Sequence, residues 1–338
     1  MRLLRVWGGA SLLAERRMGG SASKTSPHTA HGAAPRRLRQ EVVKRPGLFD
    51  SRLEQPVVGS LSLPGFGKDD DENEDCVLTG ELSCGVHYCA VFDGHGDEGL
   101  AIREACRREF PKLLQSRWPS DSVVDLDLVE FLRALFVELH TTLVALEGGV
   151  AQYSGAAGTV ALYNPETAEL VVGNVGDTKA VLGRGAGEAG ELLTVDHYCT
   201  VDEEKARIVA AGGTVDAKED VQLGTLGEIR VWKGQRCLET VSRSVGDAEG
   251  MTVGMLHSPS IRTVNLRSND LFLVICSGGI WKVVDVMESV QSVADDAPNL
   301  IDASAAASML CEKATARLAE LWQGENTSAL VLLFRTPQ

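Results

Sequence analysis

The sequence predicts an α+β fold. Two short β runs, Thr159–Tyr163 and Leu170–Asn174, are joined by the turn-rich connector Asn164–Glu169 and read as a hairpin. The two stretches with helical period, 98–116 and about 124–146, follow one another without a strand between them. A strongly apolar run, Leu271–Cys276, stands far down the chain from both. A parallel βαβ protein would alternate helix and strand, so grouped helices and hairpins point to antiparallel pairing.

Taken in order, residues 1–45 hold ten Lys/Arg and two Glu, net +8, and show no sustained period. That leaves 23 basic against 45 acidic residues, net −22, for residues 46–338, read as one domain. His87–Phe92 reads as a buried strand ending at Asp93-Gly94-His95-Gly96. The 98–116 helix carries Leu100, Ile102, Cys106, Phe110 and Leu113 on its apolar face. The next carries Val124, Leu128, Phe131, Leu132, Leu135, Phe136 and Leu139. After the hairpin, Gly176-Asp177 turns into a strand over Ala180–Leu182. Asp202–Ala211 reads as a helix stopped by Gly212-Gly213. Leu271–Cys276 stops at Ser277-Gly278-Gly279, and a helix at about 302–322 precedes a last strand, Ser328–Phe334.

Charge and composition exclude several function classes. The formal net charge of −14 argues against nucleic-acid binding, because phosphate backbones reward Lys and Arg. No apolar run reaches the roughly 18–20 residues of a membrane-spanning helix. The eight cysteines form no CxxC pair, which fits reduced thiols in an intracellular, cytoplasmic protein. The leader keeps two other addresses open. Its Arg-rich, acid-poor composition partly fits a mitochondrial transit peptide. Met18 is followed by Gly19-Gly20-Ser21-Ala22-Ser23, a myristoylation pattern if translation starts there, and would give weak membrane association.

Three motifs fail on context. Gly185-x-Gly187-x-x-Gly190 is followed by an extended-looking Leu192–Val195 where a dinucleotide loop must open a helix. The acidic run Asp69–Asp75 lacks the glycine and terminal Glu of a calcium loop. No HExxH is present.

What remains is a geometric theme: Asp75, Asp93 and Asp177 each stand at or beside the end of a β run, in glycine-rich or polar turns. Carboxylates at such positions, with glycine beside them so that a carbonyl can approach, suit hard cations. Two such ions can activate a water and clamp a phosphoryl group. Each Asp-Gly alone is equally good turn chemistry.

In this order the motifs resemble the metal-dependent protein serine/threonine phosphatases of type 2C, from about Asn73 to Phe334. Asn73-Glu74-Asp75 resembles the first acidic motif and Val91–Gly96 the most specific one; Ser154–Val160, Asn174–Leu182, Leu193–His197 with Arg207-Ile208 and Gly212-Gly213, and Val241–Asp247 follow. The resemblance implies a four-layer α-β-β-α sandwich, two antiparallel sheets flanked by helix pairs, with two Mg2+ or Mn2+ ions at one end. It implies that Asp93 bridges both ions, the Gly94 carbonyl coordinates one and Glu74 serves the second, Asp75 supports them, and Asp177 and Glu325 belong to the same site. His95 would be the general acid, with a pKa near neutrality.

Four positions depart from that pattern. Where Asp-Gly-hydrophobic-Trp-Asp is expected, the chain reads Gly278-Gly279-Ile280-Trp281-Lys282. The Asp of a C-terminal Asp-Asn pair is Glu325, and the phosphate-binding Arg is absent: position 70 is Asp, with only Lys68 nearby. The expectation is therefore one weakened or lost metal position and a pseudophosphatase that binds a protein partner or phosphoprotein. The alternative is an active Mg/Mn-dependent phosphatase acting on phosphoserine and phosphothreonine.

Overall fold

The computed structural model describes residues 55–69, 72–119, 126–185, 187–220, 225–296 and 302–334. The basic leader, with Gly19, and Asp70 lie outside the described residues. The chain opens with strands β1 (Val57–Leu63), β2 (Asp75–Glu81) and β3 (His87–His95), then helices α1 (Gly99–Arg117) and α2 (Leu128–Val144). Strands β4 (Gly155–Asn164), β5 (Glu169–Val175), β6 (Lys179–Arg184) and β7 (Glu191–Leu192) precede helix α3 (Asp202–Ala210). A small sheet follows, of β8 (Thr214–Asp220), β9 (Thr225–Lys233) and β10 (Arg236–Cys237). The rest is β11 (Val245–Gly246), α4 (Ala248–Met251), β12 (Ser260–Asn265), β13 (Asp270–Cys276), α5 (Gly278–Trp281), α6 (Val286–Asp296), α7 (Ala303–Glu320) and β14 (Thr327–Leu333).

The α+β expectation holds. One antiparallel sheet runs β12-β5-β4-β3-β2, with β11 paired to β4; the other runs β1-β14-β13-β6-β7. Alternation along the strands explains why they stack as a sandwich. In β13, Leu273 and Ile275 join Val91, Ala161, Val172 and Leu330 in the core between the sheets. Phe272, Val274 and Cys276 point the other way, into the core shared with α6 and α7. Phe92, Val160 and Leu162 pack on the α1–α2 side with Ile102, Phe110, Leu132 and Leu139. Three cores separate four layers, so strands buried on both faces read as unbroken apolar runs.

The helices begin where capping chemistry allows. Asp127 accepts from the Val129 and Glu130 N–H groups at the start of α2, and Asp302 does the same for Ser304 and Ala305 in α7. Two expectations need correction. Leu100 lies exposed on α1, with Ala105 buried in the stripe instead, because the inward face is set by the sheet beneath. The third strand does not end at Asp93: Asp93, Gly94 and His95 continue in register opposite Ala157, Ala156 and Gly155. Glycine read as a terminator is here a ladder residue, and its pairing holds Asp93 and His95 on a rigid strand.

Candidate active site

A cleft of about 750 Å³ opens at one end of the sandwich, lined by Glu74, Asp93, Gly94, His95, Asp177, Gly278, Lys282 and Glu325 among others. Asp75 lies beneath it, paired across β2 and β3 with Asp93. The structure thus gathers the sequence-derived candidates from five separate stretches of chain, Asp70 excepted.

On one wall, strand pairing does the positioning. The Gly94 N–H donates to the Glu74 carbonyl at 3.1 Å, tying the two motifs together. Burial pushes the Asp93 carboxyl well above the usual range, and the charges of Asp75 and Asp177 add to this, against the Gly278 N–H and His95. Burial likewise pushes Asp75 up to about 6, tempered by the neighbouring Ser328 and Ser277 hydroxyls. Both hydroxyls also have partners besides Asp75. Ser328 Oγ pairs with Ser62 Oγ at 2.6 Å, and the Ser328 N–H donates to Ser277 Oγ at 3.0 Å. Neither Asp75 oxygen has a hydrogen-bond partner. Burial also raises Asp177, opposed by His95, the Tyr198 hydroxyl and Lys282. A carboxylate pair at Asp75 and Asp93, with Asp177 adding to the charge on Asp93, is a donor set suited to a cation. Among the described residues no three carboxylate, imidazole or thiolate side chains close on a single point. Carbonyl and water oxygens must then complete a shell, as magnesium-type sites with one or two carboxylates require.

His95 hydrogen-bonds through Nε2 to Asp247 Oδ2 at 2.7 Å, and Ser244 Oγ donates to the same oxygen at 2.5 Å. Burial disfavours the charged ring, but Asp247, Glu239 and Asp93 outweigh it and push the pKa up to about 10. These carboxylates favour the charged ring over the neutral one, against an expected pKa near neutrality. Asp247 itself sits at φ 46, a left-handed conformation that Asp adopts more readily than most residues. Sequence reading passed through Asp247 in the Val241–Asp247 motif without giving it a role. No spacing signal joins it to His95, 152 positions away.

The opposite wall is β13 running into α5. Gly279 is obligatory: a Cβ there would stand 2.0 Å from the Asn326 carbonyl oxygen. Trp281 donates its indole N–H to the Cys276 carbonyl at 2.9 Å, fastening the turn. Gly278 faces the cleft. A Cβ built on it lies 3.1 Å from Asp177 Oδ2 and 3.2 Å from Asp93 Oδ2, so any side chain here would point between those carboxylates. The chain offers only the Gly278 N–H, donated to Asp93 Oδ2 at 2.9 Å. Lys282 reaches Glu325 Oε1 at 2.6 Å, and Lys68 reaches Glu74 Oε2 at 3.5 Å. The β2–β3 wall thus presents carboxylates to the cleft, whereas the β13–α5 wall presents the Gly278 N–H and the Lys282 ammonium.

A family model described as Protein phosphatase 2C matches residues 67–320. Probable protein phosphatase 2C 48 of Oryza sativa subsp. japonica is 30% identical over 294 residues, covering 78% of this chain and 81% of that protein. Protein phosphatase 1K, mitochondrial, of Xenopus laevis is 28% identical over 313 residues, covering 85% and 76%. The crystal structure of serine-threonine phosphatase 2C from Toxoplasma gondii superposes with a TM-score of 0.66 at 19% identity, covering 84% of this chain and 96% of that one. At that identity the superposition speaks for the fold alone. Fold and motifs together define a protein-phosphatase architecture. The chain belongs to the Protein phosphatase 2C family, whose members are metal-dependent.

Among the described residues no helix is long and apolar enough to cross a membrane. The segment after Gly185 continues into β7, not a helix, so the Gly185–Gly190 spacing carries no dinucleotide loop.

Proposed function

We propose that residues 46–338 form a type 2C phosphatase domain with weakened catalysis, which engages a phosphorylated protein partner in its cleft. The observation that carries this is Gly278, which sends no oxygen into the space between Asp93 and Asp177. Glu74, Asp75, Asp93 and the Gly94 carbonyl are the groups that would hold one Mg2+ or Mn2+. A bound ion of this kind polarises a phosphoryl oxygen and lowers the pKa of its water. The second position is weakened, and losing one such electrostatic contact costs on the order of 10²–10³ in rate. His95, held protonated by Asp247, is the proton donor to a leaving alkoxide. Its raised pKa makes it a reluctant one, since donation works best from a group that titrates near the working pH.

A manganese-titrated assay on a phosphothreonine peptide tests this. The Gly278→Asp/Lys282→Asp variant should turn over about 10²-fold faster than the wild type. Robust wild-type turnover, abolished by Asp93→Ala, would overturn the impairment. That second reading, a working serine/threonine phosphatase, is favoured by the intact Glu74, Asp75, Asp93, Gly94 and His95.

The absence of any disulfide among the described cysteines supports an intracellular compartment. The Arg-rich residues 1–45 and the mitochondrial name of the Xenopus relative support mitochondria as an alternative to the cytoplasm. Mass spectrometry of the native N-terminus separates an intact Met1, a myristoylated Gly19 and a cleaved leader.

A further inference from the structure

Lys282 has no role in the chemistry described so far, yet it is placed with care. It lies four residues after Gly278, and its N–H donates to the Gly278 carbonyl at 3.1 Å, so both positions occupy one face of the same helical turn. That face looks into the cleft, which both residues line. The Lys282 ammonium meets Glu325 Oε1 at 2.6 Å, and Asp177 and Glu228 are the other charges that act on it. Asp177 is a half-buried carboxylate that accepts a long hydrogen bond, 3.3 Å, from the Tyr198 hydroxyl. No side chain from position 278 enters the narrow space beside it, where a Cβ would stand 3.1 Å from Asp177 Oδ2.

We propose that the Lys282 ammonium is the resident cation of the Asp177–Glu325 half of the cleft, so that the site takes up one divalent ion instead of two. This rests on the reading of the cleft as a metal-dependent phosphatase site. The remaining ion belongs to the other half, where Asp75 is 4% exposed with both oxygens unpartnered beneath Asp93. The physical basis is competition. A covalently tethered ammonium meets its carboxylates at an effective concentration in the millimolar range or above, and it repels any divalent ion approaching the same oxygens. Glu325, already paired, has one oxygen committed. Glycine at 278 and lysine at 282 act together: one removes a donor for a second ion and the other supplies a substitute positive charge. Lys68 leaves the first half open, since its ammonium stands at 3.5 Å from Glu74 Oε2, a looser contact than the Lys282 pair.

Mn2+ binding to the full-length chain, followed by electron paramagnetic resonance of the free ion and by calorimetry, tests the proposal without reference to turnover. The wild type should bind one ion per chain. Lys282→Gln should gain a second, while Lys282→Arg, which keeps the positive charge, should stay at one. Circular dichroism and thermal unfolding confirm that each variant is folded; Lys282 is partly exposed, so little core packing is at risk. Two ions in the wild type, or an unchanged single ion in Lys282→Gln, would overturn the proposal. The two readings fail separately. Strong turnover with one bound ion sinks the impairment and leaves Lys282 in its role, whereas two bound ions with no turnover do the reverse.

Discussion

The two walls of the cleft are built from equally well-packed strands but differ in chemistry. On the β2–β3 wall, cross-strand pairing sets Asp75 against Asp93, and the backbone bond from Gly94 to Glu74 fixes the rest. On the β13–α5 wall the packing residues are in place: Gly279 against the Asn326 carbonyl and Trp281 on the Cys276 carbonyl. Of the residues on this turn that line the cleft, Gly278 and Lys282 stand where the resemblance expects carboxylates and carry none. Packing and chemistry on a single helical turn are thus separable constraints, because residues one and two positions apart point in different directions. A fold can keep its shape at this end while its charge is rewritten.

The sharpest way to break the comparison is Asp93→Ala. Asp93 touches both walls, through Asp75 in register and through the Gly278 N–H, so Mn2+ affinity should fall on the order of 10³-fold, about 4 kcal/mol. A loss under tenfold in calorimetry would mean that the β2–β3 wall does not hold the ion.

The His95 side of the cleft depends on a second buried network. Glu204 accepts from Arg243 Nη2 at 2.6 Å, from Arg207 Nη2 at 2.8 Å and from the Ser242 hydroxyl. Burial opposes its charge, but those donors outweigh it and hold the carboxyl well below the usual carboxylate range. Because the folded pKa is depressed, this stability is complete above the unfolded value of about 4.3 and is lost as pH falls through that value toward the folded one. Glu204→Gln should therefore cost about 3 kcal/mol at pH 7, read as a urea midpoint, with the gap to wild type closing in acid. A constant gap from pH 7 to pH 3 would assign the loss to packing alone.

Gly279→Ala tests the packing of the β13–α5 wall by itself. The added Cβ meets backbone, which cannot rotate away, so a loss of about 2 kcal/mol is expected in denaturant unfolding. Gly278→Ala, whose Cβ meets only carboxylate oxygens, should cost less. Equal losses would erase the distinction between the two glycines.

The smallest effect expected is an absence of reaction. Cys76 and Cys276, beside the two walls, are buried, and burial pushes the Cys76 thiol up to about 12 and that of Cys276 well above the ordinary thiol range. Thiol reagents should label exposed Cys84 in the native protein and spare both. Labelling of either on the same timescale as Cys84 would show that its wall opens.

Much of the fold was readable where apolar period is strong: α2 buries Leu128, Phe131, Leu132, Leu135, Phe136 and Leu139, as its spacing predicts. The sheet of β8, β9 and β10 was not, although Val215 and Val231 face a small core with Ile208 and Val253, because that core is assembled from segments far apart in the chain. Of its residues Arg230, Arg236 and Cys237 line the cleft, and no motif marks them. β1 escaped notice for a related reason. Its partner β14 is 270 residues or so away, as Val57 opposite Leu333 shows, and only that pairing makes it a strand.

The sequence by itself determined which groups the cleft has to work with: carboxylates at Glu74, Asp75, Asp93 and Asp177, an imidazole at His95, and neither carboxylate nor hydroxyl at 278 or 282. These are facts of composition at positions that an ordered set of motifs makes identifiable. Only the tertiary structure decided their partners. That His95 rests on Asp247, that Lys282 closes on Glu325, and that Asp75 is sealed without a hydrogen bond all depend on how strands and turns distant in sequence are brought together. Local spacing carries periodicity and turn chemistry, whereas protonation state and ion pairing are set by neighbours that the chain supplies from elsewhere.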